Sequence, residues 1–171
     1  MLRENVKENI TSLSEREEIQ IKAEEMVRTL LLRIQHTRIV KDIPQYEMAN
    51  KSGLVQEAIS RIETRVRKFD EELKGMKVST LFKLVKSLDL TLCLKINGKT
   101  IKVETREELI ATISQHRTEI KKSTRKLAAE NGMKQPTIVR FETKKPEVNI
   151  TTVARIAIPL GISFGLEEIK K

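Results

Sequence analysis

A chain of 171 residues has room for one or two domains, each near the small end of the range. Hydrophobic residues make up 39% but aromatics only 3%, so a core must be built from Leu, Ile, Val and Met, and single-strand binding on aromatic platforms is disfavoured. Lys and Arg outnumber Asp and Glu by 33 to 24, a net +9 that suits duplex phosphate and equally a solvated helical surface, while a single cysteine excludes a disulfide framework or a cysteine-cluster zinc site.

The opening MLRENVKENI is too charged for a signal peptide, and no long apolar run follows, so the expected setting is cytoplasmic and nucleoid-associated, with no membrane partner. Leu2, Val6, Ile10 and Leu13 keep helical spacing on a weak polar segment, and Ser14-Glu15-Arg16-Glu17 has the capping-box form that opens a helix. From there Ile19, Ala23, Met26, Val27, Leu30, Leu31 and Ile34 keep to one side. That stripe reads either as a long first helix lying on its own domain or as a dimer or partner surface. Pro44 presets the start of a second helix. Further on, RVRKFDEELKGMKV is a basic-acidic stretch, and Ser79 is expected to cap a helix burying Leu81, Leu84, Val85 and Leu88. TLCLKINGKTIKV alternates around Asn97-Gly98, which predicts a hairpin with strands at about 91–96 and 99–103. Cys93 in the first strand reads as a small packed residue. Thr105 to Glu108 is a second capping box, which sets a boundary near 104. The following helix is expected to bury Leu109, Ile113 and Ile120, Ser123 to cap the next one, and SFGLEEI to form a short strand.

The chain repeats itself. QYEMANKSGLVQEAISRIE at 45–63 and TRKLAAENGMKQPTIVRFE at 124–142 align after a shift of 79, matching Ala49 to Ala128, Gly53 to Gly132, Gln56 to Gln135, Ile59 to Ile138, Arg61 to Arg140 and Glu63 to Glu142. Beyond them, matching Leu84 to Ile156 needs a shift of 72, so the first copy carries 7 extra residues. Within each copy an apolar helical pair is followed four residues later by Gly, a natural helix stop. One plugging apolar residue comes next, then a second short helix opened by Gln. This is the spacing of a helix-turn-helix, whose second helix can enter a major groove.

The pattern Arg38, Gln45, Ala49, Gly53, Gln56, Ile59, Arg61, Glu63 resembles the phage-repressor (lambda repressor-like, XRE) helix-turn-helix family, and Arg117, Ala128, Gly132, Gln135, Ile138, Arg140, Glu142 match it again. The resemblance covers about residues 26–96 and 105–168, and the tails LFKLVKSLDLTLCL and TTVARIAIPLGISFGL look most similar to HipB-type antitoxins. Thr124 stands where the family has Gln, Lys122 where it has an apolar residue, and Pro159 inside the last predicted helix. The resemblance implies a mainly α chain: an N-terminal helical extension at 1–25, a first helix-turn-helix domain with a C-terminal hairpin at 26–104, and a second at 105–171. It also implies that Arg38–Glu63 and Arg117–Glu142 form internal ion pairs.

The reading faces then follow. Val55, Gln56, Glu57, Ala58, Ser60 and Arg61 are expected outward in the first copy, and Lys134, Gln135, Pro136, Thr137, Val139 and Arg140 in the second. Gln bonds bidentately to adenine, Arg to guanine, and methyl groups meet thymine. Gln45, Arg65, Thr124, Arg125, Lys144 and Lys145 join them as DNA-binding candidates, with Lys121, Lys122 and Lys126 adding charge around the second copy. His36 and His116 are lone histidines, and no nucleophile, metal cluster or phosphate-cradling glycine loop is in view. The expectation is a non-enzymatic, cofactor-free regulator of transcription, a repressor, that reads double-stranded DNA with two recognition helices and forms a homodimer. The competing expectation is a HipB-like antitoxin or inhibitor that binds a toxin protein and regulates its own operon.

Overall fold

A computed structural model describes the backbone of residues 2–170 and the side chains from Ser14 to Lys170. The chain is mainly helical, at 65%, with one three-stranded antiparallel sheet. Helix α1 runs Leu2–Val40 unbroken. It contains no Pro or Gly to stop it. The Ser14 box therefore lies inside a helix and caps nothing, and the helix continues past residue 25. Ala23, Val27, Leu30, Leu31 and Ile34 are buried on one side. Helix α1 packs on helix α9 (Ile150–Ala157), helix α7 (Thr124–Asn131) and strand β3 (Ser163–Glu168) of the second copy, while Leu31 and Ile34 also line a cavity with Met48, Ile59 and Leu84 of the first. The stripe expected to form a dimer surface is thus covered within the chain, largely by its second half.

In the first copy, α2 (Gln45–Ser52) and α3 (Gln56–Arg65) meet at Gly53, whose φ of 74° is left-handed. The extra residues form the four-residue helix α4 (Glu71–Lys74), and α5 (Val78–Ser87) follows. Helix α5 buries Leu81, Leu84 and Val85 as expected, but Ser79 does not cap it. Lys77 occupies the cap position without a side-chain bond, and the Ser79 amide donates instead to Glu147 Oε1 at 3.2 Å. Strands β1 (Leu90–Ile96) and β2 (Lys99–Val103) form the hairpin, with Asn97 at φ 51° and Gly98 at φ 75°, the two positive values a tight I′ turn requires.

In the second copy, α6 (Arg106–Glu119) is capped by Thr105 Oγ1, which accepts from the Glu108 amide at 3.1 Å. Glu108 reaches back to the amide of Glu104, one residue before the cap. Leu109 and Ile113 are buried, but Ile120 lies past the helix end and is 43% exposed. Ile110 and His116 fill the core instead, the latter with Nε2 2.9 Å from the Leu160 carbonyl. Helix α8 (Gln135–Lys144) follows α7 through Gly132 at φ 65°. Helix α9 ends at Ala157, ahead of Pro159 in a short 3-10 turn (Ile158–Leu160), and Gly161 leads into β3.

The sheet runs β2-β1-β3, so the strand expected at SFGLEEI joins the hairpin as its third member. Its register carries the symmetry of the molecule. Cys93 pairs with Gly165, and these are equivalent residues under the shift of 72. A second antiparallel bridge joins Lys77 to Asn149, again equivalent. Around it Val78 N donates to Val148 O at 3.0 Å and Ile150 N to Met76 O at 2.8 Å, a reciprocal exchange. Two antiparallel contacts centred on self-equivalent positions are what a two-fold axis produces between identical subunits. Here the axis relates the two halves of one chain. The left-handed residues agree: Asp42 and Lys121, Gly53 and Gly132, Asp89 and Gly161 occupy equivalent places. Buried side chains of both halves form one continuous core.

Candidate nucleic-acid interface

The α7–α8 turn is held from several sides. Ser123 Oγ caps α7, accepting from the Lys126 amide at 3.1 Å. Gln135 Nε2 donates to Thr124 Oγ1 at 3.0 Å, which ties the first residue of α8 to the first residue of α7. Arg155 on α9 donates to the Asn131 carbonyl at 2.8 Å; burial lowers its pKa, against the pull of Glu24. Lys122, at an expected core position, is fully partnered: its Nζ reaches both Glu130 oxygens (3.1 and 3.0 Å) and donates to the Pro159 carbonyl at 2.8 Å. Arg16 of α1 lies against the turn, with its Cδ 3.0 Å from where a Cβ on Gly132 would stand.

Two helix N-termini are therefore side by side at the surface, each carrying amides and partial positive charge. Pro136, in the first turn of α8, sacrifices no helical bond there. Lys134, Gln135, Thr137, Arg140 and Lys144 are exposed on α8 and its cap, Arg125 is exposed on α7, and Thr124 is half-buried. Lys145 is half-buried and left-handed at φ 44°, and its carbonyl accepts from Arg106 Nε at 3.1 Å. Among the described residues, Arg125, Lys126, Lys134, Arg140 and Lys144 have no carboxylate partner. The arrangement is a row of unneutralised cations around two exposed helix ends, with an amide and a hydroxyl among them.

The equivalent face of the first copy differs. Val55, Gln56 and Glu57 are exposed at the start of α3, and Ser60 is half-buried. Gln45, expected as a DNA contact, is half-buried and turned inward, its Nε2 donating to Glu63 Oε2 at 2.8 Å. Arg61 and Arg65 are exposed and half-buried respectively, but not free. Arg61 Nη1 lies 3.3 Å from Glu72 Oε1, Arg65 Nη1 bonds the other Glu72 oxygen, and Asp70 stands 3.6 Å from Arg65. The FDEELK stretch is conspicuous in the sequence, but nothing local assigns its acids to these arginines.

Both scaffolding ion pairs form. Arg38 bonds Glu63 at 2.5 and 2.8 Å and donates to the Ile43 carbonyl at 2.8 Å. Arg117 bonds Glu142 through Nε and, at 2.8 Å, through Nη2, and reaches the Lys122 carbonyl at 2.7 Å. The Glu142 bonds raise the pKa of Arg117 against its desolvation. Each pair fixes the end of its exposed second helix relative to the helix two elements earlier.

Among the described residues no group of three or more His, Cys, Asp or Glu could hold a metal ion, and no helix is long and apolar enough to cross a membrane. The chain matches no protein-family model, no curated protein and no solved structure at a significant level.

Proposed function

We propose that the two copies are helix-turn-helix heads of the phage-repressor type, and that the chain binds duplex DNA as a transcriptional regulator, a repressor, with α8 entering the major groove. The observation that carries this reading is the α7–α8 surface: exposed Gln135, Thr137 and Arg140 at reading positions, ringed by Arg125, Lys126, Lys134 and Lys144 without carboxylate partners. The cations fix position on phosphate, whereas Gln135 and Arg140 offer the donor patterns that adenine and guanine accept.

The test is selection of duplexes from a random-sequence pool by the intact chain, followed by titrations across salt. Affinity should fall with a log–log slope of roughly −0.9 per neutralised phosphate. Gln135→Ala and Arg140→Ala should each lose about 1–3 kcal/mol on the selected duplex, with relaxed preference at one base pair. Salt-insensitive binding, or equal loss on every sequence, rules out base reading by these residues.

One observation favours the antitoxin-like alternative, in which the chain also binds a protein. Ile39, Val40, Tyr46 and Val55 are large exposed apolar residues of the first copy, and their equivalents in the second are Thr118, Glu119, Arg125 and Lys134. A toxin gene beside this one, whose product co-purifies with the chain, would support it.

A further inference from the structure

The two copies share one backbone plan, yet their recognition surfaces carry different charge. Over 45–61, Lys51 and Arg61 balance Glu47 and Glu57; over the equivalent 124–140, Arg125, Lys126, Lys134 and Arg140 face only Glu130. The first copy alone has α4, and α4 points carboxylates at the arginines of α3. We infer that Glu72 and Asp70 close the first copy to phosphate, so that the chain grips DNA through the second copy and leaves the other half of its pseudo-symmetric site unread. This rests on the proposal that α8 binds duplex DNA.

Exposed ion pairs are individually weak, so proximity alone would not settle the competition with phosphate. The placement of α4 decides it. Leu73 and Met76 are buried beneath it, Asp70 accepts from the Leu73 amide as the cap, and Lys74 ties it to Glu24 of α1 at 3.4 Å. The carboxylates are therefore fixed on a packed segment. An arginine could rotate toward phosphate, but the DNA backbone would then approach Glu72, Asp70 and the exposed Glu57 together, with like-charge repulsion at each. Gln45, the first residue of α2, is engaged by Glu63. In the second copy Arg140 and Lys144 stand at the places of Arg61 and Arg65 with no such acids near them.

The experiment uses the full chain on a duplex that it has itself selected from a random pool, read by footprinting and by affinity across salt. The intact chain should protect one tract. Arg140→Ala should weaken binding about tenfold, within the range for a lost base contact, whereas Arg61→Ala and Arg65→Ala should change nothing. The double variant D70N/E72Q keeps a competent cap, since Asn caps as well as Asp. It should steepen the salt slope by about two, one phosphate for each freed arginine, extend the footprint, and make Arg61→Ala costly in that background. Equal losses from Arg61→Ala and Arg140→Ala in the otherwise natural chain, or a footprint already covering two tracts, overturn the closed first copy while leaving DNA binding intact. An unchanged slope in the folded double variant overturns it as well. A chain that selects no duplex overturns the DNA-binding proposal itself, and this inference with it.

Discussion

Replacing Glu142 by Gln isolates what the internal ion pair contributes to the second copy. The variant keeps the shape of the side chain but leaves the Arg117 guanidinium facing a neutral amide. Removing one partner of a buried pair costs about 3–5 kcal/mol, because the other charge is stranded. Here the side chains retain 15% and 12% of their exposure, so water reaches part of the pair. The Arg117 Nη1 bond to the Lys122 carbonyl also survives. A cost at or just below the lower end of that range, about 2–3 kcal/mol, is therefore expected. For a chain of this size that lowers the melting temperature by roughly 4–12 °C. Urea unfolding followed by far-UV circular dichroism gives the value directly, and an unchanged m-value would confirm that the unfolded reference is the same. Glu63→Gln should cost at least as much, since Glu63 also accepts from Gln45. Replacing both partners, R117M/E142L, should recover much of the loss, because two apolar groups strand no charge. A shift in E142Q below about 0.5 kcal/mol, the range of an ordinary surface substitution, would refute the reasoning.

Three further outcomes follow from other contacts. Leu30→Ala, at a position 2% exposed where α1 meets the second copy, should cost about 2–5 kcal/mol in urea unfolding; near-neutrality would mean that α1 does not hold the halves together. Gly53→Ala and Gly132→Ala should each lose about 1–2 kcal/mol from the left-handed backbone. Nothing lies within 4 Å of a new Cβ at Gly53, whereas at Gly132 it would displace Arg16, so only the second change should alter protease access to α1. Glu147 gives a pH dependence. Burial raises its pKa, but the Ser79 amide and Arg106 outweigh this and leave it below the ordinary value. Its contribution is therefore present above the unfolded pKa of about 4.3 and is lost as pH falls through the lower folded value. E147Q should flatten the stability–pH curve in that acid window and nowhere else.

Features decided by neighbours along the chain are legible in the sequence. Asn97-Gly98 specifies its own hairpin, the glycines at 53 and 132 stop their helices, and Ser123 and Thr105 cap theirs. The Arg38–Glu63 and Arg117–Glu142 pairs are legible from the resemblance. What the sequence hides is decided by contacts between distant residues. The α1 stripe is visible, but not that α9 and α7 cover it. Ser79 has the look of a cap because nothing local says that Glu147, 68 residues later, takes its amide. Ile120 fits a helical spacing, yet α6 ends one residue before it and His116 bonds to Leu160 in the core instead. At the candidate interface the residue types are readable, but their availability is not. Arg61 and Arg140 look alike in sequence, but Glu72 engages the first and no carboxylate engages the second among the described residues.

The axis through Cys93–Gly165 and Lys77–Asn149 has a thermodynamic consequence. When two identical subunits meet across such an axis, folding and association are linked, and stability depends on protomer concentration. With both halves on one chain the same contacts form at an effective concentration set by the connection, the hairpin and α6, rather than by how much protein is present. The unfolding midpoint should therefore not move with dilution. Covalent joining also removes a constraint on sequence change. In a symmetric dimer every substitution appears twice and both sides of the axis must tolerate it; here Cys93 can face Gly165, and Tyr46 can correspond to Arg125, each altered alone. The interface keeps its two-fold geometry while the surfaces on either side of it are free to take up different work.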